Sequence, residues 1–270
     1  MKTEAVISHI VNWLTDYAKK SGACGFVVGV SGGIDSAVTS MLAAKTGLPV
    51  LCLEMPIHQA QSQITQARTH IDILEANFSN VSSIRIDLTP IFDGFTNAMP
   101  TIENSKNEER FLALANTRAR LRMTALYYFA GLNNYLVAGT GNKVEDFGVG
   151  FYTKYGDGGV DLSPIADLNK TEVYALGETL GVSEEIRVAK PTDGLWGDGR
   201  SDEEQLGASY HELEWAMDYM DYDEAINANN LANNLSGRQR EVLKIYRRLH
   251  QANQHKMEPI PICEIPGAFR

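Results

Sequence analysis

Residues 25–36 read GFVVGVSGGIDS, and this stretch decides the fold. Residues 25–30 are short, rich in valine and apolar on both faces, which is typical of a strand buried inside a parallel sheet. A helix is predicted to follow from about Ser36 to Thr46, closed by Gly47. The sequence therefore predicts a tight glycine turn at the carboxyl end of a buried strand, where open α/β sheets bind their ligands.

The flanking sequence repeats this alternation of strand and helix. Strands are predicted near residues 49–55, 82–87 and 135–139, and helices around residues 63–78 and 108–130. This β-α-β succession predicts a doubly wound parallel sheet with helices on both faces.

Further helices are predicted at the two ends of the chain. Apolar residues recur at helical spacing up to Lys20, and two capping boxes, Asn169 with Glu172 and Ser236 with Gln239, mark later helix starts. We therefore predict an α/β fold with a helical C-terminal part, built as a single domain over residues 1–270.

The composition favours a small-molecule substrate. The chain has 24 basic and 34 acidic residues, and its net charge of -10 opposes attraction to nucleic acid. Polar residues interrupt the N-terminus, unlike a signal peptide, and no run of about eighteen apolar residues occurs. Three cysteines without paired spacing suit a reducing compartment. We expect a cytoplasmic protein without a nucleic-acid or membrane partner.

The glycine turn suits an anionic ligand. Its glycines let the backbone approach closely, and the next helix presents its N-terminal amides and positive dipole end. Ser31 and Ser36 add hydroxyl donors, and Asp35 can hold a magnesium ion that offsets phosphate charge. The Lys-Ser/Thr pair of the kinase and GTPase loop does not follow the glycines. The alternative is a structural turn capped by Ser36.

SGGIDS, residues 31–36, resembles the SGGxDS motif of the N-type ATP pyrophosphatases, whose fold is adenine nucleotide alpha hydrolase-like. These enzymes cleave ATP between the α and β phosphates and leave AMP on a carboxylate or carbonyl oxygen. The resemblance implies that the turn binds ATP and that Asp35 is catalytic. The ATP-binding residues it implies here are Gly29, Val30, Ser31, Gly32, Gly33, Ile34, Asp35 and Ser36.

Three later segments indicate which molecule accepts the AMP group from ATP. They are NTRARLRM at 116–123, GTGNKVED at 139–146 and FYTKYGDGGVD at 151–161. In the first, Asn116 and Arg120 share a helix face suited to phosphate, although a solvated basic face has the same pattern. The second places polar groups after the fourth predicted strand, or is a plain glycine turn. The third carries an Asp-Gly pair that would also suit a hairpin.

Taken together, the three segments resemble the NAD synthetase family, and TKYGDGG is the most specific of their motifs. The resemblance implies ATP-dependent amidation of deamido-NAD with ammonia, giving NAD, AMP and pyrophosphate through an adenylylated carboxylate. It implies contacts to deamido-NAD from Asn116, Arg120, Lys154, Asp161, His255 and Lys256. It adds to the ATP-binding set Thr140, Lys170 and Thr192.

The resemblance also implies the remaining parts of the site. Asp35 and Glu145 would hold Mg²⁺, Lys170 would join Asp35 in catalysis, and Asp157 would form the ammonia pocket. Family members are homodimers with substrate at the subunit interface. Loops at residues 57–62 and 190–201 would act as lids that keep water from the adenylate.

The sequence departs from the family pattern at two places. Some family members carry Arg-Leu-Pro where this chain reads Glu-Met-Pro at 54–56, and one residue is inserted between Glu145 and Asp157.

Glutamine-using relatives have a glutaminase domain ahead of the turn, which here begins at Ser31, so free ammonia is the expected nitrogen source. The rival hypotheses are a tRNA-modifying pyrophosphatase and a non-catalytic adenine-nucleotide-binding module.

Overall fold

The structure is a computed structural model that describes residues 1–100, 107–191, 201–226 and 235–270, without the side chains of 222–226. The strands of its central sheet are β1 Gly25–Gly29, β2 Val50–Glu54, β3 Val81–Arg85 and β4 Tyr135–Val137. They pair in parallel in the order β3-β2-β1-β4, with Phe26 opposite both Val50 and Leu136. The predicted parallel sheet is confirmed. Strand order changes direction at β1, which places a crevice at the carboxyl ends of β1 and β4.

The helices of the described ranges surround this sheet. Their bounds are α1 Thr3–Ser21, α2 Ile34–Lys45, α3 Gln61–Asn77, α4 Thr89–Ala98, α5 Asn107–Asn133, α6 Lys170–Leu180, α7 Glu184–Val188, α8 Asp202–Leu206, α9 Tyr210–Ile226 and α10 Gly237–Met257. A π-helical segment covers Val144–Val149, and a short 3₁₀ turn covers Gly267–Phe269. The sequence patterns and capping boxes predicted α1, α2, α3, α5, α6 and α10, but they missed α4 and α7–α9.

Helix α2 begins two residues earlier than predicted. Gly33, in extended conformation, is its N-cap, and Ser36 lies inside the first turn, where its hydroxyl donates to the Gly33 carbonyl at 3.0 Å. The alternative in which Ser36 caps this helix is therefore wrong.

Apolar side chains cover both faces of the sheet. Phe26 and Val28 of β1 point into a cluster shared with α1, α2 and α6, whereas Val27 points into a second cluster that contains Ala130 of α5. The predicted doubly wound arrangement is confirmed, because helices cover each face.

The C-terminal helices build a third apolar cluster around the π-helical segment. Val144 and Val149 pack there with Leu213 of α9 and Val242 of α10. The predicted helical C-terminal part is confirmed, and its packing carries Glu145 toward the carboxyl end of the sheet. None of the helices in the described ranges is long and apolar enough to cross a bilayer.

Candidate active site at the carboxyl end of the sheet

The glycine turn joins β1 to α2 in a closely packed conformation that favours glycine. Gly32 has a φ of +89°, and a Cβ at this position would lie 3.0 Å from backbone atoms of Gln63 and Ala67 in α3. Ser36 closes the turn, since its hydroxyl accepts from the Ser31 amide at 3.2 Å. Because Gly33 has no side chain with which to cap α2, the first amides of the helix remain available to an anion.

A cavity of about 660 Å³ opens beside this turn. The predicted site residues that line it are Gly29, Val30, Ser31, Gly32, Gly33, Ile34, Asp35, Ser36, Asn116, Thr140, Glu145, Asp157, Lys170 and Lys256. Thr192, predicted to contact ATP, lies outside the described residues, but Lys190 and Pro191 just before it border the cavity. Parts of the chain separated by more than two hundred residues thus meet at one place.

Lys170 joins the two predicted metal ligands into one cluster, called here the Lys170 cluster (Lys170, Asp35 and Glu145). Its ammonium Nζ donates to Asp35 Oδ2 at 2.5 Å and to Glu145 Oε1 at 3.0 Å. The Asn142 amide donates to Asp35 at 3.2 Å, and its carbonyl oxygen accepts from the Glu145 amide at 3.1 Å. The cluster is therefore tied to both the phosphate-binding turn and the π-helical segment.

Burial and charge act in opposite directions within the Lys170 cluster. Burial raises the pKa of Asp35 despite the neighbouring ammonium. Burial would also raise the pKa of Glu145, but Lys170 and a hydrogen bond from Tyr210 outweigh it and hold that pKa low. Burial would lower the pKa of Lys170, yet the two carboxylates outweigh it, so the pKa is raised. Lys170 is therefore a cation at neutral pH.

The cluster has the chemistry of a divalent-cation site. The Lys170 ammonium acts as a stand-in cation, which shows that one positive centre reaches both carboxylates. No group of three or more His, Cys, Asp or Glu side chains within the described ranges is arranged to hold a metal alone. Mg²⁺ commonly binds through one or two carboxylates and completes its shell with water and substrate phosphates. Asp35 and Glu145 fit that pattern.

Tyr210 was missed by the sequence analysis. Its hydroxyl donates to Glu145 Oε1 at 2.5 Å and lies 3.4 Å from Asp202 Oδ2. The Lys170 ammonium lies 4.8 Å from the centre of its ring. No motif marks this tyrosine, which is the first residue of α9.

Segment 151–157 forms another wall of the cavity. The Thr153 hydroxyl donates to Asn116 Oδ1 of α5 at 2.7 Å, and its amide donates to Asp157 at 3.0 Å. Lys256 of α10 donates to the carbonyls of Gly150 and Tyr152, each at 2.8 Å. Burial raises the pKa of Asp157. Two predicted acceptor-binding residues, Asn116 and Lys256, thus shape the segment as well as facing the cavity.

Four other predicted acceptor residues do not line this cavity. Arg120 donates to the Lys154 carbonyl at 3.3 Å, and the Lys154 ammonium donates to the His255 carbonyl, so these three form a separate group. Asp161 accepts from the Tyr127 hydroxyl at 3.0 Å and from the Val137 amide at 2.8 Å, beside β4.

Arg122 is a further residue that the sequence analysis passed over. It lines the cavity, and its guanidinium donates to the Met55 carbonyl at 3.0 Å and to Gln59 Oε1 at 2.8 Å. The helical spacing of Ala115, Ala119 and Arg122 could have placed it on the same face as the apolar residues that line the cavity.

A π-helical segment, Val144–Val149, overlaps the stretch in which the sequence predicts one inserted residue. A π-helical turn accommodates one extra residue within a helix and is frequent at functional sites. It brings Asp146 close to other carboxylates: burial, followed by Glu145, Asp157 and Asp35, raises the pKa of Asp146 to about 8.

This shift predicts a pH-dependent effect of Asp146→Asn. The pKa of the folded chain lies above the ordinary value of 3.8, so wild-type stability falls as pH rises from about 4 to about 8. The asparagine variant lacks this titration. Its free energy of unfolding should therefore increase relative to that of the wild type as pH rises from about 5 to about 8. Urea denaturation across that range measures the difference. Asp167→Asn is the control at a fully exposed side chain, and parallel pH curves for Asp146→Asn and wild type would contradict the prediction.

Known proteins resemble the chain over nearly all of its length. The sequence profile of the NAD synthase family matches residues 6–260. The NH(3)-dependent NAD(+) synthetase of Carboxydothermus hydrogenoformans is 38% identical over 211 residues, covering 76% of this chain and 81% of the relative. The corresponding protein of Syntrophomonas wolfei is 36% identical over 270 residues and 100% of both chains. A solved structure of NMN synthetase from Francisella tularensis has 32% identity and a TM-score of 0.78, covering 99% of each chain.

Proposed function

The chain belongs to the NAD synthase family and amidates deamido-NAD with ammonia and ATP; we propose that it does so through an adenylylated carboxylate formed in the cavity. One observation carries the proposal: the Lys170 cluster lies beside the phosphate-binding turn within the same cavity. The turn offers backbone donors to phosphate, and the cluster offers one movable cation and two carboxylates.

Adenylylation solves a chemical problem of amide formation. A carboxylate is a poor electrophile and hydroxide is a poor leaving group, so ammonia alone does not convert one into an amide. An oxygen of the nicotinate carboxylate attacks the α-phosphorus of ATP, and pyrophosphate leaves. Ammonia then attacks the carboxyl carbon, AMP leaves with the original carboxylate oxygen, and one proton is released. Positioning and electrostatic stabilisation dominate such phosphoryl chemistry.

Residues of the turn and the cluster bind ATP. Residues 29–36 hold the phosphates through backbone donors, and Lys170 approaches them as a point charge. Thr140 and Thr192 contact the nucleotide. NAD synthases use a divalent metal, and here Mg²⁺ held by Asp35 and Glu145 would offset the phosphate charge.

Residues on α5, α10 and segment 151–157 receive the acceptor. Asn116 and Lys256 contact the end of deamido-NAD that reacts, and Asp157 holds ammonium and promotes release of neutral ammonia. Arg120, Lys154, His255 and Asp161 contact the rest of this long substrate beyond the cavity. Residues 57–62 would help to keep water from the adenylate. The second predicted lid, 190–201, falls largely outside the described residues.

The proposal extends to the domain organisation and the cellular compartment of the chain. We expect residues 1–270 to act as a single domain, and the family match over 6–260 supports this. The unpaired thiols suit the cytoplasm, where ATP is also available.

We expect a homodimer formed through α4 and α5. These helices expose the large apolar side chains Ile91, Phe95, Phe111, Leu112, Tyr128 and Leu132. Such a surface is typical of an interface. The double variant Tyr128→Glu/Leu132→Glu should shift the mass measured by light scattering from dimer to monomer, whereas Ile260→Glu/Ile262→Glu, at positions that are at least as exposed, should not. A wild-type chain that is monomeric at micromolar concentration would contradict the expectation.

Product analysis tests the function directly. Purified protein with ATP, Mg²⁺, deamido-NAD and ammonium should give NAD, AMP and pyrophosphate in equal amounts, and glutamine should not replace ammonium. A parallel reaction with deamido-NMN tests the acceptor suggested by the Francisella structure. Faster turnover of deamido-NMN would keep the chemistry and change the acceptor, whereas ADP and orthophosphate as products would overturn the proposal.

A further inference from the structure

We propose that Tyr210 is a positioning residue of the divalent-cation site, whose hydroxyl holds the Glu145 carboxylate in the orientation that binds the ion. This inference rests on the proposed role of Asp35 and Glu145 as the metal ligands. It adds a residue from α9, in the helical C-terminal part, to a site otherwise built by α2, the π-helical segment and α6.

Glu145 Oε1 has two donors of different kinds. The Tyr210 hydroxyl lies 2.5 Å away and the Lys170 ammonium 3.0 Å away, both on the same oxygen. Lys170 is a flexible side chain proposed to reach toward the phosphates, and its contact would then be lost. Tyr210 has a rigid ring that is 5% exposed within the third apolar cluster. Tyr210 is therefore the donor that can stay in place throughout the reaction.

The surroundings of Tyr210 keep its hydroxyl at that position. The backbone amide of Tyr210 donates to Glu203 Oε1 at 2.9 Å, which fixes the start of α9 against α8. Asp202 Oδ2 also lies 3.4 Å from the hydroxyl. A phenolic hydroxyl has one hydrogen to donate, and the shorter distance assigns it to Glu145. Partners of metal ligands orient those ligands, and their loss typically weakens metal binding 10- to 100-fold.

A purely structural role would have a different signature. If Tyr210 only filled the apolar cluster, the ring would matter and the hydroxyl would not. Tyr210→Phe keeps the ring, including its contact with Lys170, and removes the oxygen alone. Tyr219→Phe is the matched control, because Tyr219 lies on the same helix and packs against Trp215.

The experiment measures Mn²⁺ binding by electron paramagnetic resonance with α,β-methylene-ATP present, so no turnover is needed. We expect Tyr210→Phe to weaken Mn²⁺ binding about 10- to 100-fold and to raise the half-maximal Mg²⁺ concentration for NAD formation by a similar factor. Tyr219→Phe should bind Mn²⁺ like the wild type. Unchanged Mn²⁺ affinity in Tyr210→Phe would overturn the inference if Asp35→Asn abolishes binding. Retained binding in Asp35→Asn would instead overturn the proposed metal site itself.

Discussion

Replacing Asp35 with asparagine should lower NAD formation about 10³-fold at saturating ATP and Mg²⁺, a loss typical of removing a key electrostatic group. Asparagine has nearly the same shape as aspartate but no charge. The proposed metal site would lose one of its two carboxylates, and the Lys170 ammonium keeps only Glu145 as an ionic partner. The defect lies in the chemical step, so higher ATP concentration should not restore the rate.

The same substitution should change thermal unfolding only slightly. Burial raises the pKa of Asp35, so loss of its charge costs little at this position, and the Lys170 ammonium keeps its ion pair with Glu145. Asp16→Asn on the exposed side of α1 is the control for both measurements. Turnover close to wild type by Asp35→Asn would remove this residue from the reaction.

Gly32→Ala should reduce ATP binding and NAD formation by at least about 100-fold, comparable to the effect of moving a reacting group by 1 Å. A methyl group at this position would lie 3.0 Å from the backbone of α3 at both Gln63 and Ala67. Backbone cannot rotate away as a flexible side chain can, so the phosphate-binding turn must shift. Its amides would then no longer converge on the phosphates.

Gly47→Ala separates this steric effect from backbone strain. Gly47 has a φ of +74°, similar to the +89° of Gly32, but nothing lies within 4 Å of its added Cβ. Both variants should lose about 1–2 kcal/mol of stability from the left-handed conformation. Only Gly32→Ala should lose ATP binding, measured by isothermal titration calorimetry. Equal activity of the two variants would show that α3 accommodates the methyl group.

Local sequence patterns predicted the centre of the fold. The valine-rich run before two glycines identified β1 and its turn, since a strand buried on both faces needs continuous apolar residues. Alternation of strand and helix then gave the parallel sheet. Helix α4 was missed although Pro90 lies in its first turn and Asp87 accepts from the Thr89 amide, because the helix is short.

The candidate site depended on contacts that no local pattern contains. Lys170 and Asp35 are 135 positions apart, so only the resemblance brought them together before the fold was known. Tyr210 had neither motif nor resemblance to mark it. The sequence predicted one inserted residue between Glu145 and Asp157, and the π-helical segment Val144–Val149 overlaps that stretch.

Transfer of AMP to the nicotinate carboxylate is tested most directly by following one oxygen atom of that carboxylate. Deamido-NAD labelled with ¹⁸O in its nicotinate carboxylate is incubated with the protein, ATP, Mg²⁺ and ammonium, and the AMP is analysed by mass spectrometry. Adenylylation predicts one ¹⁸O atom in each AMP and none in pyrophosphate. Unlabelled AMP, with the isotope recovered elsewhere, would contradict transfer of AMP to the carboxylate.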